Sequence, residues 1–242
     1  MHLLDIHSHI LPNVDDGAKD LDTSVELLKM MKEQGITDVI ATPHFYASED
    51  NLEDFNERIT SSYNTLKKTV EDLDLPEIHL GAEVFYFHGI RKSAGIRSLC
   101  LARTEYLLLE LPNCSLDGNI IKNIIEINSN LGIIPIIAHI ERYSKERGFK
   151  KLLELIEKEI AYAQVNALSV LQPPYSKTVN KLMKNGYISF IATDTHSVVN
   201  RPPLMDVALN EVEKNFGKKY SDMYISNSDK LLKIIQGAAN GK

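Results

Sequence analysis

The sequence Leu3-Leu4-Asp5-Ile6-His7-Ser8-His9, which continues through Ile10-Leu11-Pro12 to Asp15-Asp16-Gly17, decides how the rest of the chain can be interpreted. If Leu3 to His9 forms a strand, His7 and His9 lie on one face about 7 Å apart, because alternate residues of a strand share a face. Two imidazoles at this spacing can bind one divalent metal ion. Pro12 and the Asp-Asp-Gly sequence predict a turn that could return Asp15 or Asp16 toward the same ion.

The composition argues against several classes of function. Of the 242 residues, 43% are hydrophobic, and the net charge is −6 with a pI of about 5.8. This balance gives no global basic field that would favour nucleic acid. No apolar run approaches the roughly 20 residues of a membrane span, and the N-terminus lacks the pattern of a signal peptide. Because Cys100 and Cys114 form no disulfide framework, we expect a cytoplasmic protein without membrane insertion.

Apolar strand-like runs alternate with amphipathic helical stretches along the chain. The predicted strands lie at residues 3–9, 38–42, 78–84, 106–111, 133–139, 160–165 and 188–192. The predicted helices lie at residues 24–34, 51–73, 118–130, 150–158, 176–185, 207–215 and 229–236, whereas residues 85–100 fit neither pattern. This alternation indicates a parallel sheet with helical crossovers, either a barrel or a doubly wound sheet. Since no flexible linker or repeat interrupts it, we expect a single domain over residues 1–242.

Residues that can bind a metal stand at the carboxyl ends of six of the seven predicted strands. They are His7 and His9, His44, Glu83, Glu110, His139, and Asp194 with His196. In a barrel of parallel strands the carboxyl ends form one face, and active sites gather there. A chance scatter would place such residues on helices and loops as well. The pattern therefore predicts one site to which many strands contribute.

With Asp16, the candidate ligands are five histidines, two glutamates and two aspartates, which is more than one ion needs. A set of nitrogen and oxygen donors without thiolate suits zinc, manganese or iron. Such a set could hold two or three ions. Close pairs of metal ions typically serve hydrolysis, because they activate a water molecule and polarise a phosphoryl oxygen.

Two arginines lie near this set in the sequence. Arg142 follows His139 by three residues, and Arg201 follows Asp194 by seven. A guanidinium presents paired donors that match phosphate oxygens. We therefore predict that both arginines bind a substrate phosphate, with a milder contribution from Arg201 because its loop is longer.

The other histidines and the two cysteines fit different roles. Structural or surface positions are predicted for His2, His79 and His88. A cysteine that attacks a phosphate ester needs an arginine six residues later, but Tyr106 follows Cys100 at that spacing and Ile120 follows Cys114. A metal-activated water is therefore a better nucleophile than either thiol.

Five motifs resemble, in order, those of the polymerase and histidinol phosphatase (PHP) superfamily: Asp5-Ile6-His7-Ser8-His9, Thr42-Pro43-His44, Gly81-Ala82-Glu83, Ala138-His139-Ile140-Glu141-Arg142 and Thr193-Asp194-Thr195-His196. Within that superfamily, Ile10-Leu11-Pro12 with Asp15-Asp16-Gly17-Ala18 is similar to the bacterial manganese-dependent tyrosine phosphatases of capsule and exopolysaccharide operons. The resemblance covers nearly the whole chain. It departs at the last motif, where the family pattern is Ser-Asp-Ala-His-Asn and this chain has Thr193-Asp194-Thr195-His196-Ser197.

The resemblance implies a distorted (β/α)7 barrel similar to a TIM barrel, with the helices outside. It implies a site for two to three manganese ions, with iron or zinc as alternatives, and a substrate phosphate bound by Arg142 and Arg201. The ligand positions that match are His7, His9, Asp16, His44, Glu83, Glu110, His139, Asp194 and His196. Members of this group dephosphorylate tyrosine kinases that control polysaccharide polymerisation and export.

The leading interpretation is thus a metal-dependent phosphotyrosine-protein phosphatase that acts on a bacterial tyrosine kinase. A phosphomonoesterase for a small metabolite such as histidinol phosphate stays open, because its metal site would be similar. A nuclease or polymerase-associated module is disfavoured by the negative charge and by the lack of an appended domain. A non-catalytic module stabilised by metal is disfavoured because it would need no phosphate-binding arginine.

Overall fold

Parallel strands surround the centre of the molecule, and helices cover them. The computed structural model describes residues 2–240, so the outermost residues of the predicted domain, 1, 241 and 242, lie outside the described part. Within residues 2–240 the strands are β1 (Leu4–Ser8), β2 (Asp38–Ala41), β3 (His44–Phe45), β4 (Glu77–Leu80), β5 (Glu83–Phe85), β6 (Tyr106–Glu110), β7 (Ile134–Ile137), β8 (Tyr162–Asn166) and β9 (Phe190–Ala192). The helices are α1 (Leu21–Glu33), α2 (Leu52–Thr69), α3 (Gly118–Leu131), α4 (Phe149–Glu157), α5 (Ala167–Leu171), α6 (Ser176–Lys184), α7 (Met205–Phe216) and α8 (Lys218–Asn240).

These strands occupy seven positions around a barrel, because two positions consist of two consecutive strands each. One parallel sheet has the order β1-β2-β4, and the other has the order β3-β5-β6-β7-β8-β9. The ring closes between β1 and the end of β9, where the Asp194 N–H donates to the His7 carbonyl at 2.9 Å and the His9 N–H donates to the Thr195 carbonyl at 2.9 Å. The fold is therefore the distorted (β/α)7 barrel that the resemblance implied.

Both doubled positions are interrupted at a residue that disturbs regular pairing. Between β2 and β3 stands Pro43, which has no N–H to donate to a neighbouring strand. Between β4 and β5 stands Gly81, where a Cβ atom would lie 2.8 Å from Leu101 Cδ2 and 3.2 Å from Leu101 Cα. Only glycine lets the chain pass this close to Leu101. The two interruptions bring His44 and Glu83 to the start of the upper strands β3 and β5.

The apolar core has two parts. A small cluster joins side chains from strands around the ring, including Ile6, Ile40, Leu108 and Ile136, to three side chains of α8: Leu231, Leu232 and Ile235. Because strands on opposite sides share this cluster, it fills the barrel, and α8 packs against it. A larger cluster lies between the strands and the other helices. No helix within residues 2–240 is long and apolar enough to cross a membrane.

Most predicted elements are confirmed to within a few residues, but the short strand β3 and the short helix α5 were not predicted. Three further differences concern boundaries and the unassigned segment. Helix α2 ends at Thr69 instead of continuing to Leu73. Helix α8 begins at Lys218, eleven residues before the predicted start at Asp229. Ser221 and Ser228 are buried in the first half of α8. Because these inner positions are polar, the sequence there lacks the helical spacing of apolar residues from which a helix is predicted. The unassigned residues 85–100 contain the end of β5 and short 3-10 helical turns at Ile90–Lys92 and Ala94–Leu99.

Candidate metal centre

The structure brings all nine candidate ligands together at the end of the barrel that the carboxyl ends of the strands form. The ligand atoms of His9, Asp16, His44 and His196 lie within 4.8 Å of one another, as do those of His7, His9 and Asp194 and those of His44, Glu83 and Glu110. The ninth residue, His139, adjoins the last group, with its Nε2 atom 2.8 Å from Glu83 Oε1 and 3.6 Å from Glu110 Oε1. Since the groups share His9 and His44, the arrangement can hold more than one ion.

His7 and His9 owe their placement to an irregularity in β1. Relative to β2, the strand contains one extra residue between Asp5 and Ser8, and such a bulge redirects the side chains that follow it. The two rings lie with their centroids 5.3 Å apart and their Nε2 atoms 3.2 Å apart. They therefore converge on the same region, as the His-x-His spacing predicted.

The turn after β1 folds back onto His9 because residue 17 is glycine. The Ala18 N–H donates to the His9 carbonyl at 3.0 Å, and a Cβ atom on Gly17 would lie 2.2 Å from that carbonyl oxygen. This contact returns both aspartates to the centre in different ways. Asp16 Oδ1 lies 3.4 Å from His44 Nε2 and 3.3 Å from His196 Nε2, whereas Asp15 Oδ2 lies 2.7 Å from His9 Nδ1, on the far side of that ring.

Asp194 joins the histidines to the two arginines. Its Oδ1 atom lies 3.4 Å from His7 Nε2 and 3.5 Å from His9 Nε2. Its Oδ2 atom accepts hydrogen bonds from Arg142 at 3.2 Å and from Arg201 at 2.7 Å. One carboxylate thus faces the candidate metal site with one oxygen and the candidate phosphate site with the other.

The backbone around these residues is held in uncommon conformations. His139 has φ 33° and Asp194 has φ 51°, a region that residues other than glycine rarely adopt and that is concentrated at functional sites. A 3-10 turn at Ile140–Tyr143 starts directly after His139 and carries Arg142 toward Asp194. The Arg201 carbonyl accepts from Thr195 Oγ1 at 2.7 Å and from the His196 N–H at 3.0 Å. The longer loop of Arg201 is therefore anchored.

Sequence reasoning missed two residues of β8, the strand to which it gave no ligand. Gln164 Oε1 accepts from the His139 N–H at 2.8 Å and lies 3.3 Å from His7 Nδ1. Asn166 Nδ2 donates to Asp194 Oδ2 at 2.5 Å and Oδ1 accepts from Gln164 Nε2 at 2.8 Å. The signal in the sequence is two amides at alternate positions of an otherwise apolar strand.

Asp5 and the two threonines of the last motif, Thr193 and Thr195, form hydrogen bonds that hold the segment around Asp194. Thr193 Oγ1 donates to Asp5 Oδ2 at 2.5 Å, and the Thr193 N–H donates to Asp5 Oδ1 at 3.0 Å. These bonds join β1 to the segment that carries Asp194. At the positions where the chain departs from the family pattern, the hydroxyls of Thr193 and Thr195 thus hold the loop that contains Asp194 and Arg201.

Several side chains of the centre have shifted pKa values. Burial raises the pKa of Glu110 to about 7, and the negative charge of Glu83 adds to this effect. Burial lowers the pKa of His196 to about 4, and the positive charge of His9 adds to this effect. Burial opposes ionisation of Asp15, but its hydrogen bond with His9 outweighs this and holds its pKa below the usual range. The charge of Glu83 thus opposes ionisation of Glu110 at this buried position, and bound cations would relieve the repulsion between the two carboxylates.

Unpartnered buried atoms test whether this centre suits metal ions. His44 Nδ1, Glu83 Oε2 and His196 Nε2 are buried and have no hydrogen-bond partner within the described residues. His44 Nδ1 and Glu83 Oε2 lie 3.0 Å apart without the geometry of a hydrogen bond. Buried polar atoms are rarely left without partners, and imidazole nitrogens with carboxylate oxygens are donors that zinc, manganese and iron accept. The residues therefore fit divalent metal ions, although the assignment of each as a ligand stays a prediction.

The remaining histidines and cysteines lie outside this group. His79 Nε2 pairs with Asp38 Oδ1 at 3.1 Å, and the side chain of His2 is 60% exposed. Cys114 is exposed. Cys100 is buried, and burial raises the pKa of its thiol to about 12, so it is not a thiolate at neutral pH.

Comparison with known proteins gives a consistent result along nearly the whole chain. Residues 3–233 match the family model described as capsular polysaccharide synthesis, CpsB/CapC. The chain is 30% identical to the tyrosine-protein phosphatase CpsB of Streptococcus pneumoniae, over 95% of this chain and 98% of that protein. It is 31% identical to the tyrosine-protein phosphatase YwqE of Bacillus subtilis, over 96% of this chain and 92% of that protein.

A solved structure agrees with these sequence matches. It comes from a study of YwqE from Bacillus subtilis and CpsB from Streptococcus pneumoniae, described as metal-dependent tyrosine phosphatases. The TM-score is 0.83 at 28% identity, over 96% of this chain and 95% of that one. The chain therefore belongs to the CpsB/CapC family of capsular polysaccharide synthesis proteins.

Proposed function

We propose that this protein is a metal-dependent phosphotyrosine-protein phosphatase whose substrate is a bacterial tyrosine kinase that regulates capsule or exopolysaccharide synthesis. Its relatives carry the name tyrosine-protein phosphatase, and the structurally similar proteins are described as metal-dependent. The finer parts of the proposal are manganese as the metal, two to three ions, a single catalytic domain and a cytoplasmic location.

The observation that carries the proposal is the position of Asp194 between the histidine cluster and two guanidinium groups. Arg142 and Arg201 both donate to its Oδ2 atom, and each has more than a third of its side chain exposed. They are therefore within reach of a molecule that approaches from solvent. A phosphate monoester, with several oxygens around one phosphorus, can meet cations on one side and paired N–H donors on the other.

The nine candidate ligands would hold the ions: His7, His9, Asp16, His44, Glu83, Glu110, His139, Asp194 and His196. When bound, divalent ions would polarise a phosphoryl oxygen and activate a water molecule for attack. The residues of the chain have their own tasks. Arg142 and Arg201 orient the phosphate and stabilise the charge that grows on its oxygens. Asp15 and Gln164 fix the rings of His9 and His7, and Asn166 fixes the carboxylate of Asp194.

A direct test compares three substrates in one assay. A phosphotyrosine peptide, a phosphoserine peptide and histidinol phosphate are offered to the purified protein with manganese and with chelator. The proposal expects manganese-dependent hydrolysis with the phosphotyrosine peptide as the best substrate. Preferential hydrolysis of histidinol phosphate would instead support the metabolite phosphatase considered from the sequence.

A further inference from the structure

A pocket of about 250 Å³ opens directly beside the two arginines. Its inner end is polar and includes Arg142, Asn166, Asp194 and Arg201. The rest of its wall is mostly apolar. Its apolar members are Leu168, Pro173, Pro174, Tyr175, Pro202 and Leu204, and its polar members are Ser169, Gln172 and Thr193. The pocket thus continues the phosphate site outward along an apolar surface.

This wall comes from the two loops that leave the ends of β8 and β9. Leu168 lies on the short helix α5, which follows Asn166 directly, and is 37% exposed. Tyr175 and Leu204 are half-buried and pack against the main core, so they form a fixed surface. Exposed apolar side chains next to a polar site are typical of ligand-binding grooves.

We propose that this pocket holds the aromatic ring of the phosphotyrosine side chain; this rests on the proposed function. The ring is bonded directly to the phosphate oxygen, so a phosphate held by Arg142 and Arg201 brings the ring to the adjoining wall. The two guanidinium groups match the phosphate charge at one end, and the apolar wall with Tyr175 matches an uncharged ring at the other. Because phosphoserine has no aromatic ring to fill this pocket, the pocket favours phosphotyrosine over phosphoserine as substrate.

A second aromatic surface lies beside the candidate ligand His44. Tyr46 lies with its ring 5.5 Å from those of His44 and Phe85. The carboxylates nearby include the candidate ligands Glu110, Glu83 and Asp16, and also Glu49. Arg142 and Arg201 both line the pocket at Leu168, so the observations favour that pocket for a ring whose phosphate the two arginines bind.

The test compares two non-hydrolysable inhibitors, phenylphosphonate and methylphosphonate, against hydrolysis of a phosphotyrosine peptide by manganese-loaded enzyme. Both carry the phosphonate, and only the first carries a ring. We expect wild-type enzyme to prefer phenylphosphonate, and Leu168→Ser and Tyr175→Ala each to reduce this preference about three- to tenfold by removing apolar contact. Ile125→Ser is the matched control, because Ile125 is also 37% exposed and lies on α3; it should keep the wild-type ratio of inhibition constants.

Two outcomes would overturn the assignment of the ring site. One is an unchanged ratio in both pocket variants when circular dichroism shows them to be folded. The other is a ratio that falls in Tyr46→Ala and not in the pocket variants. Failure of the proposed function is separate, since wild-type enzyme would then not hydrolyse the phosphotyrosine peptide in the presence of manganese.

Discussion

Gln164 Oε1 accepts a hydrogen bond from the backbone N–H of His139 at 2.8 Å, and this contact fixes the orientation of the Gln164 amide. The backbone N–H can only donate, so the oxygen and not the nitrogen of the amide must face it. The same oxygen lies 3.3 Å from His7 Nδ1. His7 therefore carries its proton on Nδ1 and presents the lone pair of Nε2 to the candidate metal site. Histidine ligands are commonly oriented in this way.

The first prediction concerns this contact. Gln164→Leu should weaken manganese binding about 10- to 100-fold, the usual effect of losing a partner behind a ligand. Gln164→Glu keeps an acceptor for His7 and should bind more tightly than the leucine variant. The measurement is calorimetric titration of metal-stripped protein, with Gln236→Leu on the exposed face of α8 as the control. Wild-type affinity in a folded Gln164→Leu protein would contradict the role of this amide.

A second prediction separates the two aspartates of the first turn. Asp15 contacts the far nitrogen of the His9 ring at 2.7 Å and the Gly17 N–H at 3.0 Å. Asp15→Asn should preserve the turn but lose the charge that orients His9, and we expect at least a tenfold loss of metal affinity. Asp22→Asn, an exposed change in the first turn of α1, should have no effect. If Asp15→Asn retains wild-type affinity, Asp15 serves the turn alone.

Metal removal gives the third prediction. We expect two to three transition-metal ions per chain after reloading with manganese, and loss of activity on chelation. The metal-free protein should also melt at a lower temperature, because ligands that bind only the folded state stabilise it and because Glu83 and Glu110 then lie together without cations. Elemental analysis and thermal unfolding of the same preparations check both points. Fewer than one ion per chain after reloading would exclude a multinuclear centre.

The fold and the cluster could be predicted from local sequence for a physical reason. Parallel strands buried on both faces are apolar along their length, so a histidine or carboxylate at a strand end is conspicuous. His7, His44, Glu83 and His139 stand out in this way, and the topology of a parallel barrel brings such residues to one face. The PHP resemblance and the spacing of these residues therefore led to the same arrangement.

The parts that were missed depend on contacts across the barrel, which local sequence does not encode. Gln164 and Asn166 lie on a strand without a ligand, and their value appears only when β8 is placed beside His139 and Asp194. The anchoring of Arg201 is a similar case, because it depends on bonds to Thr195 and His196 within the folded loop. The pocket at Leu168 joins the loops after β8 and β9, which are distant in sequence.

The fourth prediction concerns the nucleophile. Replacing Cys100 by Ala and Cys114 by Ser in one protein should leave most of the turnover. The first thiol is buried with a raised pKa, and the second is exposed and belongs to none of the candidate ligand groups. The stability should fall slightly at the buried position, so activity is compared at a temperature where both proteins are folded. A folded double variant without activity would overturn the metal-dependent mechanism.

The last prediction concerns the two arginines. Arg142→Ala should reduce turnover on a phosphotyrosine peptide about 10²- to 10³-fold, the usual loss when a preorganised donor to the developing charge is removed. Arg142→Lys should rescue poorly, because lysine keeps the charge without the planar pair of donors. Arg91→Ala is the matched control, since Arg91 is similarly exposed and pairs with Glu126 at 3.0 Å.

The sequence suggested a milder role for Arg201, but the geometry gives a different expectation. Arg201 approaches Asp194 Oδ2 at 2.7 Å, closer than Arg142 at 3.2 Å. Its backbone is also held at two points, because its carbonyl accepts from Thr195 Oγ1 and its N–H donates to Ser197 Oγ. We therefore expect Arg201→Ala to lose turnover to a similar extent as Arg142→Ala, and not only substrate affinity. Steady-state kinetics with metal content measured in the same samples distinguishes the cases. If an Arg201→Ala enzyme has full metal content, normal turnover and a raised KM, the milder role predicted from the sequence is correct and Arg201 contributes to substrate affinity alone. An interaction made equally in the ground and transition states changes only KM.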